Sequence, residues 1–85
     1  MFKKGDFIHP IEEQVEALIT TGKSQYILLF GPKNIFIVHS FNKWHLIFQY
    51  LDDKTTYIEG LYTKFKLVED PTQLELLQAL YGQDY

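Results

Sequence analysis

Between Ser24 and Val68 the chain is cut into short β-forming runs by punctuation too brief to carry a crossover. "SQYILLF" stops at "GPKN", residues 31–34, and "IFIVHSF" follows. Asn42-Lys43 reads as a tight turn into "WHLIFQYL". "DDK", residues 52–54, closes the next hairpin, and "TTYIEG" returns before "LYTKFKLV". Parallel neighbours need connections of about a dozen residues, so these strands are expected to pair antiparallel. "SQYILLF" is apolar on both faces and reads as a central strand buried on two sides. In "WHLIFQYL" Trp44, Leu46, Phe48 and Tyr50 share one face, and His45, Ile47 and Gln49 share the other. Further on, Leu61, Phe65 and Leu67 are in phase, with Lys64 and Lys66 opposed.

The flanks read differently. "KKGDFI" suits a short opening strand, Lys4 to Ile8, or an extended arm. In "HPIEEQVEALITTG" Pro10 stands at a first helical position, and Glu12 and Glu13 fall in the first turn, where the helix dipole favours acids. Ile11, Val15, Leu18 and Ile19 follow a helical stripe, and Gly22 supplies a stop. The spacing predicts a helix over about 10–21. At the other end Asp70 is placed to cap, Pro71 to take the first helical position and Gln73 to complete a capping box. Leu74, Leu77 and Tyr81, with Leu76 and Leu80 beside them, make an apolar face ending at Gly82. The expected fold is α+β: a curled antiparallel β-meander of four to five strands, with an N-terminal helix (about 10–21) and a C-terminal helix (about 71–81) packed on it or closing its ends.

Eighty-five residues are expected to form one small domain, residues 1–85. A body of that size has little interior, yet 46% of its residues are hydrophobic and 16% aromatic. Seven Phe, six Tyr and one Trp supply a dense core. The absence of cysteine excludes disulfides, Cys-based zinc sites and Cys nucleophiles, and suits a reducing, cytoplasmic setting. "MFKKGDFIHP" has no apolar run after its lysines, so no signal peptide is expected. "YILLF", the longest fully apolar run, is far too short for a membrane span, and no membrane partner is expected. The net charge is −3, and all eight basic residues are lysine. Arginine is favoured where phosphate or guanine is read by two parallel hydrogen bonds, so nucleic acid is not the expected partner.

The stretch "NIFIVHSFNKWHLIF" carries two histidines, a lysine and the single tryptophan. A two-residue turn at Asn42-Lys43 would pair Phe41 with Trp44 and set His39 opposite Leu46. The rings of His39 and His45 would then point to opposite faces, which argues against a shared metal or an acid–base pair. "TGKSQ" imitates a phosphate loop, but Ala17 stands where the motif needs glycine, and the expected order of helix and strand is reversed. No His-x-x-x-His spacing is present. No catalytic residue, metal or cofactor is therefore expected, and the chain reads as a non-enzyme.

The acids gather in three places: Glu12, Glu13 and Glu16; Asp52 and Asp53; Glu69, Asp70 and Glu75. They decorate a solvated surface or meet a basic partner. Tyr50, Tyr57, Tyr62, Tyr81 and Tyr85 exceed what so small a core can bury, and tyrosine is enriched where proteins meet. The expectation is a protein-binding module, acting on a partner protein or on a second copy of itself. Its expected contact residues are Asp52, Asp53, Tyr57, Glu59 and Tyr62. The alternative is single-stranded nucleic acid stacked on Trp44, Phe36 and Tyr57, with Lys43, Lys64 and Lys66 on phosphates.

"FKKGDFI" and "YIEGLYTKFKLVED" together resemble small uncharacterised proteins of phages and bacterial mobile elements. Many of these open with a "KKGD" strand and close with a strand like "FKLVED" in an SH3-like barrel. The resemblance implies such a barrel and a cytoplasmic accessory protein that occupies or inhibits a partner. It carries no functional residues over to this chain.

Overall fold

The computed structural model describes residues 1–82, so Tyr85 lies outside the described residues. Seven strands come first: β1 (Phe7–Pro10), β2 (Val15–Thr21), β3 (Ser24–Phe30), β4 (Phe36–Phe41), β5 (His45–Tyr50), β6 (Asp53–Leu61) and β7 (Phe65–Leu67). The helix α1 (Pro71–Tyr81) follows them. All seven strands belong to one antiparallel sheet in the order β3-β2-β6-β5-β4-β1-β7. Of the expected four- to five-strand meander only β4, β5 and β6 are consecutive neighbours; β3 pairs with β2 instead of β4, and β7 with β1 instead of β6. The consecutive strands β1 and β2 sit on opposite sides of these three, so residues 11–14 carry the chain from one flank to the other. Gln14 makes that passage with a left-handed backbone, φ 59°.

Three further expectations are corrected here. The chain forms β2, not a helix, over most of residues 10–21. Val15, Ala17 and Ile19 are buried, while Glu16, Leu18 and Thr20 turn the other way, which is a period of two. A helix of that length is marginal in water, and Ile19-Thr20-Thr21 favour extended backbone. The sheet also has seven strands, not four or five. Its order has two ends, β3 and β7, so it does not close into the SH3-like barrel that the resemblance implies.

The inner face of the sheet holds the main core. Ile8, Ile19, Phe36, Val38, Leu46, Phe48 and Ile58 are almost wholly buried there, with Phe2, Val15, Ala17, Phe30 and Phe65 around them. Its rings meet edge-on or tilted: Phe36 lies 4.8 Å from Phe48, Phe48 4.8 Å from Phe65 and Phe30 4.9 Å from Phe36, between centroids. Such contacts add about 0.5–1.5 kcal/mol each beyond area burial. Gly60 is required by this packing, because a Cβ on it would stand 2.5 Å from Cε1 of Phe65.

On the outer face α1 covers one half of the sheet. Its Leu77 is buried with Phe7, Ile37 and Val68, and Leu74 and Tyr81 pack alongside. Asp70 caps the helix as the sequence predicts, accepting hydrogen bonds from the N–H groups of Thr72 and Gln73. The docking stripe is narrower than expected, and Leu76 and Leu80 stay exposed.

Candidate protein-binding face

The other half of the outer face is bare, and register decides what it carries. Residues paired across neighbouring strands share a face, so one continuous row runs Ile27, Leu18, Glu59, Ile47, Ser40 through β3, β2, β6, β5 and β4. Beside it Gln25, Thr20 and Tyr57 form a second row, and Leu29 pairs with Glu16 in a third, as His45 does with Leu61. Ile27 is 63% exposed, Leu29 57% and Leu61 50%. A shallow hollow of about 190 Å³ lies in this surface, lined by Glu16, Leu18, Ile27, His45, Glu59 and Leu61. Its chemistry is an apolar floor with two carboxylates and an imidazole.

The five expected contact residues are divided by the fold. Tyr57 and Glu59 are on the bare half. Tyr57 is 41% exposed, and its ring meets His39 edge-on at 5.0 Å. Glu59 is half-buried between Leu18 and Ile47. Asp52 and Asp53 lie at the β5–β6 turn. Asp52 is exposed, whereas Asp53 is engaged by its own strand: its carboxylate accepts from the hydroxyl of Thr55 at 2.6 Å, the N–H of Thr55 at 2.8 Å and the hydroxyl of Thr56 at 2.9 Å. Those bonds, the Thr55 hydroxyl foremost, hold the carboxyl below its ordinary range. Tyr62 belongs to a 3₁₀ turn, Tyr62–Lys64, where its ring packs edge-on to Phe2 at 4.8 Å and fixes the N-terminal arm.

The histidines also differ from expectation. Phe41 pairs with Leu46, not with Trp44, because residues 42–45 make a longer turn. Asn42 holds that turn by accepting from the N–H groups of Trp44 and His45. The register of β4 shifts at His39, and the result is that both rings lie on the outer face, not on opposite faces. They occupy different places on it, His39 against Tyr57 and His45 in the hollow. No group of three or more His, Cys, Asp or Glu among the described residues is placed to hold a metal ion. No helix among them is long and apolar enough to cross a membrane.

The residues of the nucleic-acid alternative are scattered. Phe36 is 1% exposed in the core and cannot stack on a base. Lys64 donates to Glu12 at 2.7 Å, and Lys66 pairs with Glu69 at 3.4 Å. Trp44 is 66% exposed, with the Lys43 ammonium 5.4 Å from its ring centroid.

Sequence reasoning missed the apolar part of the face, and above all β3. The expected central strand is an edge strand whose residues are all exposed except Phe30. The signal was the same run, apolar on both faces and free of charge. The sequence reading took that pattern for burial on both sides, whereas the strand stands at the edge of the sheet. Comparisons of the chain with protein-family models, with curated proteins and with solved structures each return no match.

Proposed function

We propose that this chain is a non-enzymatic protein-binding module that works in the cytoplasm by occupying the surface of a partner protein. The observation that carries this reading is the bare half of the outer face. Leu18, Ile27 and Leu61 expose apolar surface around Glu16 and Glu59, with Tyr57 at the border. Contiguous apolar surface ringed by polar groups marks interaction sites on soluble proteins. The two carboxylates select a partner that brings a lysine or arginine into an apolar surround. The resemblance to small phage and mobile-element proteins supplies a setting, in which the covered protein belongs to the host and is inhibited by being covered.

The test is affinity capture from the native cell with the wild-type chain and with a Tyr57→Ala, Glu59→Lys double variant. A protein enriched by the wild type and lost from the variant supports the reading. Equal recovery by both, or no enrichment over an empty matrix, rejects it.

A further inference from the structure

We infer that β3 is a self-recognition strand: two copies of the chain pair antiparallel through their β3 edges, about a twofold axis at Ile27, to form one continuous sheet. This goes beyond the proposed function, because it uses the edge of the sheet and a second copy of the chain.

The two ends of the sheet are treated differently. β7 has three residues, carries Lys66 paired with Glu69, and leads directly to α1. Shortness and edge lysines are the devices by which proteins blunt an open edge. β3 has seven residues in unbroken register with β2, and it holds no charge, proline, glycine or bulge. Its Tyr26, Ile27, Leu28 and Leu29 are 45%, 63%, 39% and 57% exposed. A long apolar edge left unprotected is a template for another strand.

The geometry suits a second copy. Gly22, at φ 58°, takes the first central position of the two-residue turn that joins β2 to β3. Thr21 and Ser24 flank that turn as a hydrogen-bonded pair. Alternation along the ladder then directs the N–H and C=O groups of Gln25, Ile27 and Leu29 to the free edge. In a twofold antiparallel pair centred on Ile27, the residue numbers of partners sum to 54. Ile27 meets Ile27 and Gln25 meets Leu29, each as a hydrogen-bonded pair, so all three edge-facing residues find partners. Tyr26 meets Leu28 on the inner face, and the strand overlaps its copy from Ser24 to Phe30. One step beyond, Lys23 of one copy comes against Gly31 of the other. The Glu13 carboxylate lies over that glycine, where a Cβ would collide with it. A cation therefore meets an anion at both ends of the pair. The pairing adds one strand contact per copy, an interface at the small end of the range for specific association, so the dimer dissociates on dilution.

The test is molar mass by light scattering on the full chain over a dilution series, with variants at Ile27. The wild type is expected to approach about 20 kDa, twice the 10.1 kDa chain, when concentrated, and to fall to the single-chain mass when dilute. Ile27→Pro removes an N–H that β2 does not use and is tolerated on an edge strand. It should abolish the dimer while circular dichroism keeps the wild-type strand signal. Ile27→Lys and Ile27→Asp should each be monomeric alone and associate when mixed, because residue 27 faces its own copy. Tyr57→Ala should leave the mass unchanged, which separates this pairing from the partner-binding face. A wild-type chain that stays at 10.1 kDa at millimolar concentration, or a dimer that survives Ile27→Pro, overturns the proposal. Should Ile27→Pro not fold, the charge-swap mixture decides, and its failure to associate overturns the proposal equally.

Discussion

At the scale of single residues, two positions show how local chemistry fixes the sheet. Asp53 is a half-buried acid at the start of β6 whose oxygens serve Thr55 and Thr56. Its folded carboxyl titrates below its ordinary value of 3.8 because those donors favour the charged form. A carboxyl depressed in the folded state binds a proton more readily when unfolded. Its stabilising contribution is therefore complete above the ordinary value and is lost as pH falls through the folded one. Asp53→Asn should lower stability at neutral pH, and the gap from wild type should close on acidification below 3.8. Urea melts at a series of pH values measure that gap; a constant gap contradicts the account. Gly60 makes the opposite kind of demand, for space. Its missing side chain leaves room for the Phe65 ring, and Phe48 closes the far side. Gly60→Ala should destabilise by about 1–3 kcal/mol, as overpacking does. The readout is the denaturation midpoint, and an unchanged midpoint would mean that the ring moves freely aside.

Elements were legible where several local signals agreed. For α1 the cap at Asp70, Pro71 at the start and the Leu74, Leu77, Tyr81 spacing all pointed to one helix, and it spans Pro71–Tyr81 as the sequence predicts. Of the expected meander only the β4-β5-β6 hairpins were legible; the short connections after β3 and β6 join strands that are not neighbours, because β2 and β1 take the places beside β6 and β4. β2 was not legible, for a physical reason. Within seven residues Val15, Leu18 and Ile19 satisfy a helical stripe, while Val15, Ala17 and Ile19 satisfy alternation. The arbiter is tertiary: β6 and β3 supply hydrogen-bond partners on both sides of β2, which no helix at that place could use. "LYTKFKLV" failed likewise. A 3₁₀ turn at Tyr62–Lys64 breaks its phase, so Leu61 faces out while Phe65 faces in. Of the bare outer face, composition and charge singled out Tyr57 and Glu59 alone. The row that joins them to Leu18 and Ile27 depends on register, which is a relation between strands and is written in no single one of them.

At the scale of the whole molecule, stability should be distributed as the sheet is layered. β5 and β6 pair on both sides and contribute Leu46, Phe48 and Ile58 to the core, so their amides should exchange only through global unfolding. β3 pairs on one side and belongs to the low-stability rim. The ladder nevertheless imposes a finer pattern on it. Tyr26, Leu28 and Phe30 direct their N–H groups to β2, whereas Gln25, Ile27 and Leu29 direct theirs outward. Hydrogen exchange in dilute solution should therefore alternate residue by residue along β3. The alternation is a property of the folded monomer. Uniform fast exchange over all seven residues would show a frayed hairpin, which is no preformed template for another strand. On concentration, the protection of Gln25, Ile27 and Leu29 should rise toward that of their neighbours, and the amides of β7 should stay as they were. A rise at β7 instead would mean that the blunted end of the sheet is the one that associates, and that apolar length in an edge strand counts for less than the lysine and helix set at its opposite end.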